Sequence, residues 1–127
     1  MDWIRAKIGS SLQQSWITLK EQLASDLVQW RHVHDQNENK LVEHNEVRDC
    51  LVFLLKANYF DTNRDWVRVY RTETAITFVR KNTPGTTEEL VPTLNDKVEL
   101  RLQHNGNELE IWQASRLLLE PILFPKD

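Results

Sequence analysis

The sequence predicts an α+β domain: two N-terminal helices packed on an antiparallel sheet of four to five strands. The sheet is built from two hairpins, and an apolar C-terminal segment or short helix follows it. Three observations lead there. Apolar residues recur every three or four positions through the first half. Past Asn63 the period changes to two, and an Asn-Gly pair lies between two alternating runs near the end.

The chain has 127 residues, the span of one domain able to bury a core without metal or disulfide staples. Its 40% hydrophobic and 28% charged residues are ordinary for a globular protein, which argues against wholesale disorder. A net charge of −3 supplies no global attraction to nucleic acid or an anionic membrane. Cys50 is the one cysteine, so no intrachain disulfide forms, and its apolar neighbours Leu51–Leu55 suggest a buried, inert thiol. No leader-like segment opens the chain, and no run approaches the ~18 apolar residues of a spanning helix. A cytoplasmic location without a membrane role is the expectation.

In the first helix Leu12, Trp16, Leu19, Leu23, Leu27 and Trp30 form one stripe over about Ser11–Arg31, with Ser10 and Gln13 as a capping box. The residues before Gly9 keep the phase through Ile4 and Ile8, as a short preceding helix or a frayed extension. The opposite face carries Gln13, Glu21, Ser25 and Asp26 instead of a lysine-rich band, which favours core packing over membrane-surface binding. Asp35–Asn39 reads as a polar turn. A second helix follows over about Lys40–Ala57, with Leu41, Val47, Leu51, Leu54 and Leu55 inward.

Asp65–Arg71 and Thr74–Lys81 are rich in Val, Ile, Thr and aromatic residues and predict a hairpin turning near Thr72-Glu73. Thr83–Asp96, with Pro84, Gly85 and Pro92, predicts a long loop with at most a short edge strand at Leu90-Val91. Asn105-Gly106 then tolerates the positive φ angles of a type I′ turn between Lys97–Gln103 and Asn107–Trp112. That register sets Leu102 against Leu109, Leu100 against Ile111, Gln103 against Glu108 and Arg101 against Glu110. Finally, Ala114–Glu120 suits a short helix stopped by Pro121. Leu117-Leu118-Leu119 sweep about 200° around such a helix, so the tail is either enclosed on two sides or covered by another chain.

No motif reaches catalytic or cofactor specificity. Gly9, Gly85 and Gly106 are too scattered for a phosphate-cradling loop, and no nucleophile elbow is present. Glu88-Glu89 reads as a solvated loop before an acid–base pair. His32, His34 and His44 are the nearest approach to a metal cluster, but on a helix His32 and His34 point about 200° apart. Neither a metal nor another cofactor is therefore expected, and an enzyme is disfavoured.

The first hairpin carries apolar material on both faces. One face is read as Val67, Val69, Ala75 and Val79; the other as Trp66, Arg68 and Tyr70 with Ile76, Phe78 and Arg80. Residues 59–82 balance at +2, whereas the chain from 83 onward balances at −4. Three readings compete for the aromatic face: cover by the helices, a protein-binding or self-association surface, or a single-stranded nucleic-acid platform stacking bases beside arginines. Together with the apolar tail (Leu119, Ile122, Phe124), Trp66, Arg68, Tyr70, Phe78 and Arg80 are the candidate binding residues. The function expected is a non-enzymatic interaction module, adaptor-like or chaperone-like, with a protein partner or a second copy. A nucleic-acid-associated protein is the alternative, and a metal-dependent hydrolase using the three histidines is a third.

Overall fold

A computed structural model describes residues 3–34, 41–48, 50–56, 63–83, 85–94 and 99–124. One long helix opens it, α1 (Trp3–His34), followed by β1 (Leu41–Val47), β2 (Cys50–Lys56), β3 (Asn63–Arg71), β4 (Ile76–Arg80), β5 (Glu88–Leu94), β6 (Leu100–His104) and β7 (Asn107–Leu109). The helix α2 (Ile111–Leu123) closes it. The strands form one antiparallel sheet in sequence order, and the class is α+β.

The predicted stripe of α1 is correct: Leu12, Trp16, Leu19, Leu23, Leu27 and Trp30 are all buried. The helix start is not. Backbone helix runs unbroken through Ser10, so Ser10 and Gln13 do not form a cap there. Gln13 instead accepts a hydrogen bond from Arg71 Nη1 at 2.5 Å.

The second N-terminal helix does not exist; its residues form the hairpin β1–β2, and the sheet has seven strands, not four or five. The leucine spacing satisfied a helical period, but the run from Cys50 to Leu55 is continuously apolar and equally suits a strand with apolar residues on both faces. The turn that joins the two strands carries no glycine. Val47 pairs with Cys50 and leaves a two-residue connection in which Arg48 takes φ 54°. The polar turn placed at Asp35–Asn39 lies outside the described residues.

The loop between β3 and β4 holds four residues, Thr72–Ala75, because Thr72 clamps it. The Thr72 N–H donates to the Ala75 carbonyl at 2.9 Å, and the Thr72 hydroxyl accepts from the Ala75 N–H at 3.1 Å. The resulting register pairs Val67 with Arg80, Val69 with Phe78 and Arg71 with Ile76. β5 is a full strand where a loop was expected, pairing with β4 on one side and β6 on the other. Pro92 fits there at a buried position opposite Leu102.

The Asn-Gly hairpin has the predicted register at Leu102–Leu109 and Gln103–Glu108, with Asn105 at φ 50° and Gly106 at φ 83°. Its last two predicted pairs are absent, because β7 stops at Leu109 and α2 takes over at Ile111. Gln113 accepts from the Glu110 N–H at 2.8 Å, which helps to start the helix. Arg101 still meets Glu110, as an ion pair at 3.8 Å.

Both helices lie on one face of the sheet. Leu51, Val67, Val69, Ile76, Phe78, Leu90 and Leu102 join the α1 stripe and Ala114, Leu118, Leu119 and Ile122 of α2 in one apolar cluster. At the α1–α2 contact, buried Ser115 donates to Asp26 Oδ2 at 2.6 Å, and Gln22 Nε2 donates to Asp26 Oδ1 at 2.9 Å. Asp26, read from the sequence as part of a solvated face, therefore helps to align the two helices.

Pro121 does not stop α2; it sits inside it. A proline at this position offers no N–H to the Leu117 carbonyl four residues back. Arg80 from β4 supplies the missing donor, Nη2 donating to the Leu117 carbonyl, and Nη1 donates in addition to the Leu118 carbonyl at 3.4 Å. Burial holds the Arg80 pKa below its ordinary value, partly opposed by the carboxylates of Glu88 and Asp65.

Candidate functional site

The strand registers sort every described side chain of the sheet onto one of two faces, because neighbours along a strand alternate. The helix-covered face takes Val67, Val69, Ile76, Phe78, Arg80 and Leu90. The opposite face takes Cys50, Val52, Trp66, Arg68, Tyr70, Thr77 and Val79, with Glu89 level with Thr77. It continues through Val91, Gln103 and Glu108.

The five hairpin residues singled out from the sequence are thus divided. Trp66, Arg68 and Tyr70 do share a face. Phe78 and Arg80 lie on the other, Phe78 wholly buried and Arg80 committed to the α2 backbone. The faces read in the sequence are off by one residue, because an even loop, whether the two-residue turn at Thr72-Glu73 or the observed Thr72–Ala75, pairs odd positions of β3 with even positions of β4, and a shift of one turns a strand over. In place of Phe78 and Arg80, the outer face receives Thr77 and Val79.

The C-terminal candidates also separate. Leu119 and Ile122 are buried against α1 and the sheet; Phe124 is 59% exposed at the end of α2. The leucine triplet is accommodated by enclosure on two sides, one of the two outcomes its sweep allowed. Phe124 borders a groove of about 410 Å³ between α1 and α2, with Trp30 and Leu123 along its wall.

The outer face is unlike an ordinary solvated sheet face. Trp66, Tyr70, Val52 and Val79 are half-buried in one another's company, and Val91 is 38% exposed. Val47, opposite Cys50 at the β1–β2 end, is 68% exposed. The Arg68 guanidinium lies over the Trp66 ring, 5.6 Å from its centroid. No helix among the described residues packs on this face. Cys50 belongs to it and is half-buried, which corrects the expectation of a fully buried thiol.

Glu88 and Glu89, adjacent in sequence, point to opposite sides of β5 and do not form a carboxylate pair. Glu88 lies 2.9 Å from His104 Nε2, and that imidazole stands 5.6 Å from the Phe78 ring, on the helix side. Of the three histidines weighed as metal ligands, His32 is exposed near the end of α1. The side chains of His34 and His44 lie outside the described ones. Among the described residues no group of three metal-ligating side chains converges, and no helix is long and apolar enough to cross a membrane.

Comparison with protein-family models, with curated proteins and with solved structures gives no match, so the functional reading rests on this chain's own residues.

Proposed function

We propose that the chain is a non-enzymatic protein-interaction module whose contact surface is the outer face of its sheet. One observation carries this reading. Both helices cover the same side of the sheet, while the other side presents Trp66, Tyr70, Val52, Val79, Val91 and Val47 around Arg68. An antiparallel sheet with a solvated face alternates apolar with polar residues, and β2 and β3 do not. Tryptophan, tyrosine and arginine are also the residue types that carry most binding energy at protein interfaces.

Cys50 provides the test, because it is the chain's one thiol and lies on this face. Its rate of modification by a maleimide is measured on purified protein, then after incubation with extract of the native host. Protection by the extract that disappears in Val79→Arg, with the far-UV spectrum unchanged, supports the module. A thiol equally open in both conditions and at all protein concentrations refutes it.

A nucleic-acid reading keeps one supporting observation: Trp66 and Tyr70 flank Arg68 on an open sheet face, the arrangement that stacks single-stranded bases. It is the weaker one, since Arg80 is withdrawn to the helix side and Glu89 stands on the same surface. Salt-dependent binding of single-stranded oligonucleotides that is lost in Arg68→Glu would establish it in place of the protein contact.

A further inference from the structure

We infer that the occupant of the outer face is a second copy of this chain, the two sheets stacking face to face about a two-fold axis that runs along β4. This inference rests on the interaction-surface reading above and names its partner.

The face is self-complementary. β4 lies between β3 and β5. Arg68 stands one strand to one side of β4, opposite Val79, and Glu89 one strand to the other, opposite Thr77. Arg68 is exposed, and its contact is the Trp66 ring, not a carboxylate. Glu89 is also exposed. Rotation by a half-turn about an axis along β4 exchanges the two sides. The β3 of one protomer then lies over the β5 of its partner, and Arg68 faces Glu89 of the partner subunit twice, once on each side of the axis. The two positions differ by two residues along the strands, about 7 Å. The length of an arginine side chain and the ~30° offset of aligned sheet packing take up that difference.

Between the two ion pairs the axis passes over Val79, and Val52, Trp66 and Tyr70 surround Arg68, so each ion pair stands one strand from the axis in apolar surroundings. Five strands, β2–β6, at about 4.8 Å spacing and about six residues at about 3.4 Å span roughly 24 by 20 Å. That projected area is roughly 480 Å², which side-chain relief raises towards, but not up to, the ~800 Å² per partner of a standard interface. A two-fold axis suits a chain acting alone, because one patch then supplies both halves of the contact.

The test is sedimentation velocity on the purified full chain across a concentration series, with four variants. The wild type is expected to sediment as a dimer at micromolar concentration. Arg68→Glu and Glu89→Arg should each weaken the dimer by about tenfold or more, since each places like charges together twice. The double variant, carrying both changes, should return to within about threefold of wild type, because the opposed charges are merely exchanged. Val79→Arg should give a folded monomer, with folding checked by its thermal transition.

A monomer at every concentration overturns the inference, as does a dimer indifferent to Val79→Arg or a double variant no better than the single ones. The two proposals fail differently. A monomeric chain whose Cys50 is still protected by host extract loses the second copy but keeps the contact face. Oligonucleotide binding lost in Arg68→Glu, together with a monomer, replaces both.

Discussion

Replacing Arg80 by methionine probes whether a strand side chain repairs the break that Pro121 makes in α2. Methionine keeps an apolar stem near Phe78 but removes the donors to the Leu117 and Leu118 carbonyls. A hydrogen bond to a charged donor contributes about 1.5–3 kcal/mol, and a stranded buried carbonyl costs about as much. Removing a partly buried charge recovers a portion, as the depressed pKa of Arg80 indicates. A net loss of about 2 kcal/mol is expected, lowering Tm by roughly 6–10 °C for a chain of this size. The decisive comparison is the same substitution in Pro121→Ala, where residue 121 regains an N–H for the Leu117 carbonyl. Proline in a helix interior costs about 3 kcal/mol. Because Arg80 already offsets part of that, Pro121→Ala alone should stabilise by about 1–2 kcal/mol. In its background Arg80→Met should cost about 1 kcal/mol or less. Urea unfolding of the four proteins measures the coupling directly. Equal costs in both backgrounds, within about 0.3 kcal/mol, would refute the repair, since additivity means that Arg80 and the proline-vacated carbonyl do not communicate.

Two further substitutions examine other parts of the fold. Gly106→Ala should destabilise by about 1–2 kcal/mol through backbone strain alone, because the residue sits at φ 83° and an added Cβ would meet nothing within 4 Å; a neutral result in thermal unfolding would contradict the positive-φ turn. Ser115→Ala should cost about 1–2 kcal/mol, and Asp26→Asn less, since an amide oxygen still accepts from the Ser115 hydroxyl; equal losses for both would show that charge, not acceptor geometry, matters at the α1–α2 contact.

How much of the fold can be read from residues alone follows from where each signal resides. The α1 stripe and the Asn105-Gly106 hairpin were legible because each signal is local: one period for the helix, one turn chemistry for the hairpin. The β1–β2 hairpin was not, because its turn passes through Arg48, a residue that rarely takes φ 54° and announces no turn. Without a visible turn, five leucine and valine positions met a helical spacing as readily as a strand one. Pro121 misled for a related reason. Proline ends a helix when its lost hydrogen bond goes unrepaired, and here the repair comes from Arg80, forty-one residues earlier in the chain. No local rule registers a donor that distant.

Three of the five hairpin candidates share a face for a reason that lies in parity. The sequence placed Trp66, Arg68 and Tyr70 on one face through alternation along a single strand, which depends on no neighbour. It placed Phe78 and Arg80 beside them against the parity of its own turn: an even loop, whether Thr72-Glu73 or Thr72–Ala75, pairs odd positions of β3 with even positions of β4. The consequence for function is limited. The exchange removes one aromatic ring and one cation from the outer face and adds half-buried Val79, with Thr77 beside it buried, so the surface becomes less suited to phosphate and better suited to an apolar, sterically matched partner. With Arg80 turned inward, Arg68 is the basic group at the centre of the patch and Glu89 its acidic counterpart two strands away. A face built to attract a polyanion would not place a carboxylate there, whereas a face that must meet its own copy needs one of each sign.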